Sequence, residues 1–226
     1  MRLGEGGFSL LELLVSISIT AILLLVGGNF VVDGTLSANV DYNRTVVQSN
    51  TKTAVDIVAR TIRSARSVEA QNAQPDPNPP VAGDPYSWSG TAGVDATLIL
   101  AIPARDVSGN LLYIDGLHNN LYTNDVIFYL DPSTRRLYKR TIANAVAGNA
   151  AKTTCPPALA TSTCAPDAVV VEDIASLTTG YLDDTNLAVT IPSGTEAVSY
   201  KVKESRVIGS RTYSSSYATI TALRNK

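Results

Sequence analysis

The segment from Phe8 to Val32, FSLLELLVSISITAILLLVGGNFVV, carries one charge, Glu12, across 25 residues. A helix of about 20 mostly apolar residues crosses a bilayer, so a stretch like this must find either hydrocarbon or a wholly apolar protein surround. Ser9, Ser16, Ser18, Thr20, Gly27 and Gly28 keep it only moderately apolar and suit close packing against other helices. Arg2 precedes the run, while Asp33 and Asp41 come before the next base, Arg44. That bias, which Glu5 partly offsets, predicts the amino end in the cytoplasm and the chain beyond Asp33 outside. An ordinary secretory signal has a shorter apolar core with a small-x-small cleavage site at its outer end. Here no Ala-x-Ala follows the run, and the small residues Gly6 and Gly7 precede it. A cut at Gly7 falls on the cytoplasmic side and leaves the apolar segment on the mature protein.

Glu12 is the informative residue. A carboxylate within an apolar span costs about 2.5–3.5 kcal/mol on insertion scales, and an anchor alone has no use for it. Cleavage after Gly7 would free the amine of Phe8, four residues earlier and on the same helix face. The acid can pair with that amine in its own chain or in a neighbour, and the second arrangement makes assembly register-specific, because the buried charge is matched only when subunits stack correctly. The alternative is a Glu that snorkels to the membrane edge without a partner.

The stretch Gly7-Phe8-Ser9-Leu10-Leu11-Glu12-Leu13-Leu14-Val15 resembles the leader of type IV prepilins and type II secretion pseudopilins. Those leaders have Gly, a cut, an aromatic residue, a small polar residue, two apolar residues, Glu and a long apolar run. The resemblance covers residues 1–32. It implies cleavage between Gly7 and Phe8 by a prepilin peptidase, N-methylation of Phe8, and a role for Glu12 in subunit addition. It also implies other pilins or pseudopilins as partners along the stem helix, and an assembly platform in the inner membrane. Glu5 departs from the pattern, since many leaders carry Lys or Arg near the cut.

Beyond the membrane segment, residues 45–69 have apolar positions at helical spacing: Val47, Thr51, Ala54 or Val55, Val58, Ile62, Ala65 and Val68. Asp56, Arg60, Arg63 and Arg66 fall largely off that stripe. Residues 33–44 are more polar but can continue the rod, whereas a Gly27-Gly28 break would give two helices. Residues 71–93, dense in Pro, Gly, Asn and Asp, read as a long loop. Strands are predicted at Thr97–Ile102, Leu111–Ile114, Val126–Leu130, Leu137–Ile142, Val169–Glu172, Leu187–Ile191, Ala197–Val202 and Tyr217–Leu223. Asp131-Pro132-Ser133-Thr134 suits a turn, which makes the third and fourth of these a hairpin. Ala143 to Asp167 reads as a loop containing both cysteines.

Cys155 and Cys164, the only two cysteines in the chain, read as a disulfide in an exported domain, contributing about 2–3 kcal/mol; two buried thiols are the alternative. The expected plan is therefore α+β. Residues 1–7 form a leader, 8–32 the membrane and assembly half of a stem helix, and 33–70 its amphipathic half. Residues 71–226 form an antiparallel β-rich head with a disulfide loop at 155–164. The hairpin and the closing Ala218-Thr219-Ile220-Thr221-Ala222-Leu223-Arg224-Asn225 are also similar to W-type minor pilins and J-type minor pseudopilins.

No catalytic constellation is visible, and no phosphate loop, nucleophile elbow or zinc spacing. The sequence predicts no enzyme, no cofactor and no metal. His118, the only histidine, reads as solvent-facing. Asp183-Asp184-Thr185-Asn186 reads as a polar turn, though calcium is bound by such loops in some pseudopilins. With 18 Lys and Arg against 20 Asp and Glu, no basic excess points to nucleic acid. The expected function is a structural minor pilin or pseudopilin, held in the inner membrane and then in a filament for adhesion, motility, DNA uptake or secretion. The alternatives are a major pilin of the shaft, or a tethered surface-binding domain unrelated to filaments.

Overall fold

A computed structural model describes residues 9–115, 120–190, 192 and 195–223. Gly7, Phe8, His118 and the closing Arg224-Asn225 lie outside the described residues. The chain divides between Thr45 and Val46 into two units.

The described residues of the first unit are helix from Leu10 onward. Helix α1, Leu10–Ser64, starts in it and continues into the second unit without a break at Gly27-Gly28. Ser9 caps it: the Glu12 amide donates to Ser9 Oγ at 3.2 Å, the first half of a capping arrangement in which a Ser is followed three residues later by Glu. The hydroxyls of Ser16, Ser18 and Thr20 each donate to the carbonyl four residues earlier at 2.8 Å. These polar side chains are thus satisfied inside the helix that carries them. Every residue from Ser9 to Asn39 is exposed, and the helix is long and apolar enough to cross a membrane.

The second unit is an α+β head. Its helical part buries Val47, Thr51, Ala54, Val55, Val58, Ala59 and Ile62, the predicted stripe with both Ala54 and Val55 included. The predicted helix over 45–69 is too long: α1 stops at Ser64, and Ser67–Glu69 is strand β1. Ala65 and Val68 are buried nonetheless, because β1 turns them into the same core.

Two antiparallel sheets follow, in keeping with the expected α+β plan. The first has the order β1-β3-β4-β5-β6, with β3 Leu98–Pro103, β4 Thr123–Asp131, β5 Arg136–Ile142 and β6 Ala168–Val171. The second has the order β10-β9-β7-β2, with β2 Gly93–Val94, β7 Ile174–Leu182, β9 Ala197–Ile208 and β10 Arg211–Ala222. The short β8, Ala188–Val189, also pairs with β7. The helix packs on the inner faces of both sheets. Val55, Val58 and Ile62 share one core with Leu100, Phe128 and Leu137 of the first sheet and with Leu177, Val198 and Tyr200 of the second. Tyr200 also donates its hydroxyl to the Val55 carbonyl at 2.9 Å, which fixes the helix on the second sheet.

The predicted hairpin is β4–β5, closed by Asp131 opposite Arg136. Asp131 Oδ1 accepts from the Ser133 amide at 2.9 Å, and Arg135 takes φ 54°. Leu111–Ile114 is not a strand: Leu111 and Tyr113 make only isolated bridges to Arg105 and Leu121, so these apolar residues belong to an irregular loop. Strands β1, β2 and β7 were not predicted.

Candidate functional site

The assembly site expected at the amino terminus is built on the first turns of α1. Glu12 lies on the exposed helix three residues after its cap, amid the exposed Leu10, Leu11, Leu13 and Leu14. An acid in the first turn is also favoured by the helix dipole and by capping. The cap uses the Glu12 backbone amide; the spacing Ser9-x-x-Glu12 is that of a capping box, a signal the sequence reading missed. Gly7 and Phe8 lie outside the described residues, so the geometry of the cut and of the Phe8 amine rests on the sequence.

In the head, Cys155 and Cys164 form a disulfide, with Cα atoms 5.8 Å apart. Beside it lies a feature the sequence did not suggest. Arg140, on β5, is fully buried together with Asp76 and Asp167. Its Nε donates to Asp76 Oδ2 at 2.9 Å and its Nη1 to Asp167 Oδ2 at 3.2 Å. The remaining carboxylate positions are filled. Trp88 Nε1 donates to Asp76 at 2.6 Å, and the hydroxyls of Tyr129 and Thr154 donate to Asp167 at 2.8 and 2.5 Å. Asn78 donates to Cys155 Sγ at 3.1 Å. A buried ion cluster persists only when its partners are complete. This one ties the 71–93 loop, strand β5 and the disulfide loop together. Three residues scattered between positions 76 and 167 offer no sequence period that would reveal it.

The loop's other contact is apolar. Trp88 and Tyr129 cover Ile99, Ile127 and Ile142 on the outer face of the first sheet. That explains why β3 is buried almost throughout rather than at alternate residues.

The Asp183 turn is a closed polar turn. Asp183 Oδ1 accepts from the Thr185 amide and hydroxyl at 2.9 and 2.7 Å and from the Leu187 amide at 2.9 Å. These bonds hold its carboxyl below the ordinary carboxylate range. Among the described residues no three acid, His or Cys side chains converge as a metal site would require.

The described head therefore presents an α+β scaffold with an ordered loop layer. Residues 2–28 match the family model of the prokaryotic N-terminal methylation motif, which supports the pilin-like resemblance of the leader. No curated protein matches the chain.

Proposed function

We propose that this chain is a structural subunit of a type IV pilin-like filament, a minor pilin or pseudopilin that initiates or caps assembly. The observation that carries the reading is the methylation motif over residues 2–28, which overlaps the start of a 55-residue helix whose later part belongs to an α+β head. In this reading a prepilin peptidase cuts between Gly7 and Phe8 and the new Phe8 amine is methylated. Glu12 then pairs with a Phe8 amine, across subunits or within one. Residues 8–32 form the membrane and assembly half of the stem, 33–70 its amphipathic half and 71–226 the head. The amino end faces the cytoplasm before assembly, and the partners are other pilin-like subunits, the peptidase and an inner-membrane platform. Neither catalysis nor a cofactor enters this role.

Co-expression with a prepilin peptidase tests it. The expected product lacks the first seven residues and begins at methylated Phe8, read by intact-mass and amino-terminal analysis. Glu12→Ala should still be cut but should fail to enter filaments. An uncut chain, or filaments indifferent to Glu12, would overturn the proposal.

A further inference from the structure

The second sheet ends in an open edge. Strand β10 pairs with β9 over twelve consecutive residues with no register shift, and no strand lies on its other side among the described residues. The two-residue loop Gly209-Ser210, with Gly209 at φ 62°, makes Ile208 and Arg211 the hydrogen-bonded closing pair of the hairpin. The Leu223 amide donates to the Glu196 carbonyl at 2.9 Å, which places the odd-numbered residues of β10 on the β9 side along its whole length. The backbone N–H and C=O groups of Thr212, Ser214, Ser216, Ala218, Ile220 and Ala222 therefore point outward. All six residues are exposed. Native edges are usually blunted by Pro, Lys, bulges or a short strand; this one is long and has no Pro or Lys, and its only charge is Arg211 at the turn.

The same outward face is basic and small-chained. Lys201 and Lys203 of β9 are exposed on it, directly opposite Ala218 and Ser216, and among the described residues neither takes part in an ion pair. A lysine stem spans one strand spacing of about 4.8 Å, and the short Ser and Ala leave its path to the edge open. Next to them Gly180, Ser199 and Ile220 stand in register across three strands and line a trough of ≈ 570 Å³.

We propose that β10 is a docking edge for an extended segment of another protein subunit, added as a further strand. Its backbone pairs with the outward groups of β10. Two acidic side chains spaced two residues apart meet Lys201 and Lys203, and an apolar side chain two residues further on sits beside Ile220. Backbone pairing supplies affinity and the alternate side chains supply selectivity. The inference goes beyond the filament reading and is independent of leader processing.

The test uses the full chain in detergent micelles. Its probes are a short Thr/Val peptide with two Glu on one strand face and a twin with Lys in place of both. The acidic peptide should bind about tenfold more tightly than its twin at low salt, and should slow amide exchange at the even-numbered residues of β10 but not at the odd. Lys201→Glu with Lys203→Glu, on exposed side chains that the fold does not need, should reverse the preference. Ala218→Pro, which removes one outward donor, should abolish binding of both peptides. Failure of the acidic peptide to bind, or binding unchanged in both variants, overturns the proposal. So does self-association of the unmodified chain that Ala218→Pro removes, since the occupant would then be a second copy. Cleavage at Phe8 is scored separately, so failure here leaves the filament reading standing.

Discussion

At the scale of single residues, the buried cluster is the most exacting feature. Arg140 faces two carboxylates, so the cluster is a guanidinium with one surplus negative charge, balanced by hydroxyl, indole and amide donors. Arg140→Met would leave two buried acids without a counter-charge and should destabilise the head by about 3–5 kcal/mol. Asp76→Asn leaves a one-to-one pair and keeps an acceptor for Trp88, so it should cost markedly less. Chemical denaturation of the two variants checks the order, and equal losses would contradict it. Glu12 presents the opposite situation. Its acid was legible because charge within an apolar run is conspicuous, whereas the same acid's position three residues after the helix cap was overlooked.

At the scale of elements, the loop over residues 71–93 behaves as a structural layer. A Cβ on Gly90 would lie 2.4 Å from the Glu69 carbonyl oxygen, and the Gly90 amide donates to the Ala70 carbonyl at 2.8 Å. Gly90→Ala should force the loop off β1 and cost about 1–3 kcal/mol, with a lowered melting temperature as the readout; an unchanged melt would show that the loop yields freely. The composition correctly marked this stretch as irregular but could not say that it covers a sheet, because Trp88 is its only large apolar anchor. The stem stripe and the β4–β5 hairpin were legible because period and turn chemistry agree there. Strand β7 was not. A register shift between Ile174 and Ser176 breaks its alternation, and Thr179 occupies an inward, buried position. The first half of β10 is Ser-rich and exposed. It is a strand because β9 supplies its hydrogen bonds rather than because a core demands it.

For the molecule as a whole, two buried acids, Asp125 and Glu204, contribute a pH dependence to stability. Burial pushes Asp125 from 3.8 up to about 6, with the nearby Glu69 charge adding to it and the Gln74 and Ala73 amides opposing. Burial pushes Glu204 from 4.5 up to about 7; Asp173 adds to it, and Asn50, Thr51 and Arg206 oppose. Both folded-state values lie above the unfolded ones, so the folded head holds more protons in this window. Stability is then fullest below about pH 4 as far as these two groups are concerned, and falls as pH rises through about 6 to 7. Glu204→Gln should flatten that fall and raise the melting temperature at pH 8 by about 3–6 °C, with little change at pH 4. Melting curves across the range check it, and a variant no more stable at pH 8 would refute the assignment. Glu204 lies beyond the predicted strand Ala197–Val202, on the longer β9; its side chain is buried against Thr51 of α1.

The serine and threonine hydroxyls of the first helical turns spend their hydrogen bonds on their own backbone. The one proton of each hydroxyl of Ser16, Ser18 and Thr20 is thereby committed, and only acceptor lone pairs remain for an adjacent helix. Trading acyl chains for neighbouring helices alters little for leucine, since both surrounds are oily. In the proposed filament, recognition along this stretch would then rest chiefly on shape, with notches at Gly27 and Gly28, and on the lone carboxylate near its beginning.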